Sequence, residues 1–166
     1  MKASLALTLT YMTLFGCFAA DTPPPGFTAL WNGQNLAGWW GANEEDSRKY
    51  LVLRREEFQK KHDTSLADIK KHWRVENGEL VNDGNGLFLT TEKNYGDFEL
   101  LVNYKTVPLA DSGICLRGCP QVQIWDYTEK VKFKLGADKG SGGLWNDSAG
   151  ALGKDPLVKA DKPFGE

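Results

Sequence analysis

Trp73-Arg-Val-Glu-Asn-Gly-Glu-Leu-Val-Asn82 decides the fold class. Apolar and polar residues alternate on both sides of Asn77-Gly78, the strongest short signal for a tight hairpin turn. Period two continues downstream. Asp83-Gly-Asn-Gly86 is a second turn, and Leu87-Phe-Leu-Thr-Thr91 reads as a strand. Asp97-Phe-Glu-Leu-Leu-Val-Asn-Tyr-Lys105 reads as the longest strand, and Ser112-Gly-Ile-Cys-Leu-Arg117 and Gln121-Val-Gln-Ile-Trp-Asp126 as a pair joined through Gly118-Cys-Pro120. Many short strands at close spacing predict an all-β, antiparallel β-sandwich.

Upstream, Phe27-Thr-Ala-Leu-Trp31 reads as a further short strand, with Asn32-Gly33 as its turn. Residues 42–72 differ: acids and bases are interleaved, and Leu51, Phe58, Leu66 and Ile69 fall near helical spacing. Ser65-Leu-Ala-Asp68 resembles a capping box opening a short helix that ends near Trp73. This stretch is expected to be a surface insertion of two amphipathic helices with a solvated charged face. Residues 136–153 form a long Gly-, Asp- and Asn-rich loop, and the embedded Leu144 and Trp145 predict that it is ordered.

The N-terminus reads as an export signal. Lys2 precedes an uncharged apolar run from Leu5 to Phe15, followed by small residues at Ala19 and Ala20. Cleavage after Ala20 and a lipobox-like site at Leu14-Phe-Gly-Cys17 both remain open. The second would make Cys17 a lipid anchor. Residues 21–26, with three consecutive prolines, form a stiff linker. The domain then covers residues 27–166, and the protein is expected outside the cytoplasm. Across 166 residues, 20 Lys+Arg against 22 Asp+Glu give a formal charge of −2. Such a chain, without a basic face, excludes nucleic acid as an expected partner.

Three sets of residues bear on chemistry. Strand alternation puts Gln121, Gln123 and Trp125 on one face of their strand, with Val122 and Ile124 on the other. Arg117, on the neighbouring strand, is expected beside the amides. An amide–guanidinium–indole patch suits a carbohydrate, since planar polar groups meet hydroxyls and an indole stacks on a sugar's C–H face. Trp145 is a second stacking candidate. The groups able to move protons are Asp126, Glu99, Glu79, His72 and Asp111. Amides stand where a retaining glycosidase would need its paired acids, so that mechanism is not supported. Cys115 and Cys119 read as two buried thiols or a local disulfide. No metal or other cofactor is expected, since a zinc site would need ligands beyond these and only His62 and His72 remain. A Ca²⁺ site in the loop from Asp138 to Asp155 is the weaker alternative.

Five motifs in order carry a family resemblance: Trp73-Arg-Val-Glu-Asn-Gly-Glu-Leu-Val, Tyr95-Gly-Asp-Phe-Glu-Leu, Asp111-Ser-Gly-Ile-Cys-Leu-Arg-Gly, Gln121-Val-Gln-Ile-Trp-Asp and Lys162-Pro-Phe-Gly-Glu. Together with the opening Gly26-Phe-Thr-Ala-Leu-Trp-Asn-Gly, they resemble the 3-keto-disaccharide hydrolase family over Gly26 to Glu166. The resemblance implies a concanavalin A-like jelly roll with a concave sugar-binding face, in exported bacterial proteins that act on 3-keto-glycosides. It also implies removal of the acidified C2 proton, elimination of the C1 aglycone and hydration, which need a base and an oxyanion stabiliser. Arg117, Gln123 and Asp126 match the family's Arg-Gly and Gln-x-x-Asp positions. Arg117 is then expected to orient substrate or stabilise the enolate, Gln121, Gln123 and Trp125 to bind the ring, and Asp126 to act as base or to fix Arg117. Gln121 stands where many members carry Glu. Members continue beyond Phe-Gly-Glu with further strands, so the chain reads as a truncated jelly roll. A non-catalytic carbohydrate-binding module on the same fold is the alternative function.

Overall fold

A computed structural model describes residues 22–145, 155–158 and 161. The expected signal sequence, Cys17 and the Lys162-Pro-Phe-Gly-Glu motif lie outside the described residues, as does the loop segment 146–154. Seven short strands and two α-helices follow one another among the described residues. β1 (Trp39–Ala42), α1 (Arg48–Leu51) and α2 (Arg55–His72) come first, followed by β2 (Trp73–Glu76), β3 (Glu79–Asn82), β4 (Phe88–Thr91), β5 (Asp111–Cys115), β6 (Gln121–Trp125) and β7 (Leu144–Trp145). Every pairing is antiparallel, in three small sheets ordered β1-β4, β2-β3 and β5-β6-β7. The class is all-β, of jelly-roll type, with the helices inserted between β1 and β2. No helix among the described residues is long and apolar enough to cross a membrane.

The Trp73 hairpin forms in the register its alternation dictates, with Trp73 opposite Asn82 and Glu76 opposite Glu79. Asn77 and Gly78 both take positive φ, 51° and 80°, as the tight turn requires. Two strand expectations are corrected. Residues 27–31 and 97–105 carry no regular structure, although their alternation suits a strand. A strand is held by its ladder, and neither segment has a neighbouring strand among the described residues.

The helical insertion is also corrected, because it is more than a solvated face. The second helix does not open at Ser65; it starts ten residues earlier, where Arg54 N–H donates to Glu57 Oε2 at 3.1 Å. Acids in its first turn and Lys70, Lys71 and His72 in its last suit the helix dipole. Its inner face covers β1. Trp40, 2% exposed, packs edge-on against Tyr50 and Phe58, with ring centroids 5.3 and 5.4 Å away. A Cβ on Gly41 would lie 2.8 Å from Ile69 Cγ2, so only glycine lets the helix approach this closely. Ser65 and Asp68 are therefore anchors, not caps. Ser65 Oγ accepts from Gly41 N–H at 2.9 Å, and Asp68 Oδ1 accepts from Leu87 N–H at 2.7 Å.

Candidate functional site

The expected site residues cluster around β5 and β6, whose register sets Asp111 opposite Trp125, Gly113 opposite Gln123 and Cys115 opposite Gln121. Gly113 is needed because the Gln121 side chain lies across it, and a Cβ there would sit 2.4 Å from Gln121 Cδ. Gln121 Nε2 donates to Gln123 Oε1 at 2.8 Å, and Gln123 Nε2 donates to Asp111 Oδ1 at 2.8 Å. Lys132 Nζ completes the row, donating to Asp111 Oδ2 at 2.9 Å and pairing with Glu129 Oε2 at 3.2 Å. The hydrogen bond from Lys132 to Asp111 raises the lysine pKa above its ordinary value, so it stays cationic at neutral pH.

Gln121 and Gln123 do share a face, as alternation predicts, but that face is not an open floor. They are 6% and 5% exposed. Ile124, on the opposite face, is also buried and Val122 half-buried. A strand covered on both sides cannot display its amides to a sugar without rearrangement. The outward end of the row is Asp111, whose side chain is 47% exposed.

Trp125 is corrected from exposed to buried, at 6%. The segment after a short 3₁₀ helix at Ala137–Lys139 covers it. Gln123 N–H donates to Gly143 O, Gly142 N–H donates to Gln123 O, and the indole N–H donates to Gly140 O at 3.0 Å. Half-buried Trp145 meets Trp125 edge-on with centroids 6.0 Å apart. The loop is thus ordered over its described part, as its Trp suggested. Ser141 Oγ, fully buried, donates to Asp161 Oδ1 at 2.7 Å, and Ser141 N–H donates to Asp161 Oδ2 at 2.7 Å. The Ca²⁺ alternative falls partly outside the described residues. Within them, Asp155 takes two hydrogen bonds from Lys139 Nζ, the nearer at 2.7 Å.

Arg117 does not join the amides. It takes φ +55° in the β5–β6 connection, which breaks the alternation that would aim it there. Its guanidinium donates to Gly96 O at 3.0 Å. The same connection holds a cis Cys119–Pro120 peptide. Cys115 and Cys119 are not bridged to each other. Asp126 is buried and does not contact Arg117. Oδ1 accepts from Thr128 N–H at 2.8 Å and from Thr128 Oγ1 at 2.6 Å, and Oδ2 accepts from Leu109 N–H at 2.8 Å. The Thr128 hydroxyl first, then the Leu109 amide, hold its pKa below the usual carboxylate range. Such a carboxylate is a weak base that secures the turn after β6.

A family model, described as the 3-keto-alpha-glucoside-1,2-lyase-like domain, matches residues 26–166. The chain belongs to that family. Membership ties it to carbohydrate chemistry related to 3-keto-glycosides. Comparisons with curated proteins and with solved structures gave no significant match. Within this 3-keto-alpha-glucoside-1,2-lyase-like domain, Lys132 is the polar residue that sequence reading passed over. Its spacing of three from Glu129 was the available signal. In the sequence Asp111 is one proton carrier among several, because nothing local shows that Gln123 and Lys132 converge on it from different elements.

Proposed function

We propose that this protein cleaves 3-keto-glycosides by elimination at the Asp111 end of the amide row. The observation that carries the reading is the family match over residues 26–166, whose description names lyase chemistry across C1 and C2. The Asp111 carboxylate removes the C2 proton that the C3 ketone acidifies. The C2–H electron pair forms a C2=C3 bond, the carbonyl π pair moves to the C3 oxygen as an enolate, and the Lys132 ammonium stabilises it. The enolate collapses to the C3 ketone with a new C1=C2 bond and expels the C1 oxygen with its aglycone, which takes the proton held by Asp111. Water then adds across C1 and C2 to give the 3-keto sugar. Gln123 holds the Asp111 carboxylate through one oxygen, Gln121 holds Gln123, and Asp126 secures the turn after the strand.

Turnover of a 3-keto-disaccharide in D₂O tests this. Free sugar carrying deuterium at C2 is expected, with about 10²-fold or greater loss of rate in Asp111→Asn. Arg117→Ala, which among the described residues releases Gly96 O, is expected to retain most of the rate. Full activity in Asp111→Asn, or no turnover by the parent protein, would overturn the assignment. Amides at Gln121 and Gln123 in place of paired acids favour a second reading, a non-catalytic carbohydrate-binding module, for which sugar would bind without being consumed. We also place the protein outside the cytoplasm, on the apolar run from Leu5 to Phe15 behind Lys2. Cys17 is the acyl acceptor if the lipobox is used. Fractionation of expressing cells, with metabolic labelling by a fatty acid, tests both points.

A further inference from the structure

We propose that residues 98–106 are the docking strand for a second copy of this chain. Among the described residues, no backbone hydrogen bond involves this segment. Phe98, Leu100, Val102 and Tyr104 alternate along it, and all four are exposed, as is Leu101. Both ends are tied down. Arg117 holds Gly96 O, Tyr95 meets Phe98 edge-on, and Asp126 holds the Leu109 amide. A tethered segment with an apolar face and an unsatisfied ladder is the kind of element that pairs with an incoming strand.

Charge selects the partner. Glu99 and Lys105 lie three residues to either side of Val102. In an antiparallel pairing of the segment with itself, centred on Val102, each Glu99 falls opposite the Lys105 of the other copy, so the two-fold axis makes the attraction twice. Leu100 then falls opposite Tyr104, and Val102 opposite itself. The pairing is isologous and closes at two copies.

Sedimentation across a concentration series tests the dimer. The parent protein is expected to dimerise. Lys105→Glu and Glu99→Lys each place like charges opposite one another twice and are expected to weaken the dimer roughly tenfold. The double variant Glu99→Lys/Lys105→Glu restores the opposite pairing and is expected to recover the parent's association. Both positions are exposed, and circular dichroism checks that each variant folds. A parent protein that stays monomeric at its highest soluble concentration overturns the proposal, and so does a dimer indifferent to the single changes or one that the double variant does not restore. Strong amide protection of 98–106 in a monomer would show that another part of the same chain covers the segment, which also overturns it.

Discussion

The α2–β1 layer and the β5-β6-β7 sheet both hold strands under a covering segment, but by different means. In the first, Trp40, Phe58 and Ile69 make the contact together with Tyr50 of α1, assisted by the Gly41 and Leu87 amides, which donate to Ser65 and Asp68. In the second, Ile124 and Trp125 are buried beside four polar side chains, Gln121, Gln123, Ser141 and Asp126, whose contacts are directional hydrogen bonds. Apolar packing is roughly proportional to area and forgives small displacements. A buried polar network costs free energy if any member loses its partner. The two layers should therefore fail in different ways.

The largest effect is expected at the apolar layer. Trp40→Ala should cost about 3–5 kcal/mol of stability, because the cavity lies between helix and strand. Urea denaturation measures it, and a loss well below that range would mean that α2 does not seat on β1. The amide row should show a smaller, conditional effect. Gln123→Ala leaves Gln121 and Asp111 each short of a partner and should cost about 1–3 kcal/mol. Replacing Gln121 and Gln123 together by methionine should recover part of that loss. If the double change is instead worse than the sum of the singles, the amides do more than satisfy one another.

The third test uses pH. Asp126 has a depressed pKa in the folded protein. Its contribution to stability is therefore fully present above the unfolded carboxylate value of about 3.9 and is lost as pH falls through the folded value. Acid denaturation of the parent should be steeper through that window than that of Asp126→Asn. Identical profiles would remove Asp126 from the turn it is assigned to. The smallest effect belongs to Lys139, half-exposed in its pair with Asp155. Lys139→Ala should leave stability nearly unchanged, and any small loss should vanish at high salt.

Much of the β pattern was legible because it is local. Asn77-Gly78 needs only its own φ angles and its flanking alternation, and the β2–β3 hairpin formed in the expected register. The β5–β6 pair was readable for the same reason. The Asp97 to Lys105 stretch shows the limit. Its alternation is as clear as that of β6, yet it stands unpaired among the described residues, since alternation states a preference and a ladder needs a neighbour. Ser65 and Asp68 mislead in the opposite way. They have the spacing of a cap, but their oxygens face backbone amides of Gly41 and Leu87, a destination 24 and 19 residues distant.

The candidate site divides along the same line. Residue order and period two were enough to place Gln121 and Gln123 on one face, and five motifs in order were enough to identify the family. Whether that face was open could not follow from them. The burial of Trp125 depends on a glycine-rich segment folding back over β6. The turning away of Arg117 depends on one backbone angle, and the meeting of Asp111, Gln123 and Lys132 joins three separate elements. Periodicity is a property of neighbours along the chain. Exposure and the convergence of charges are properties of what the rest of the chain brings against them.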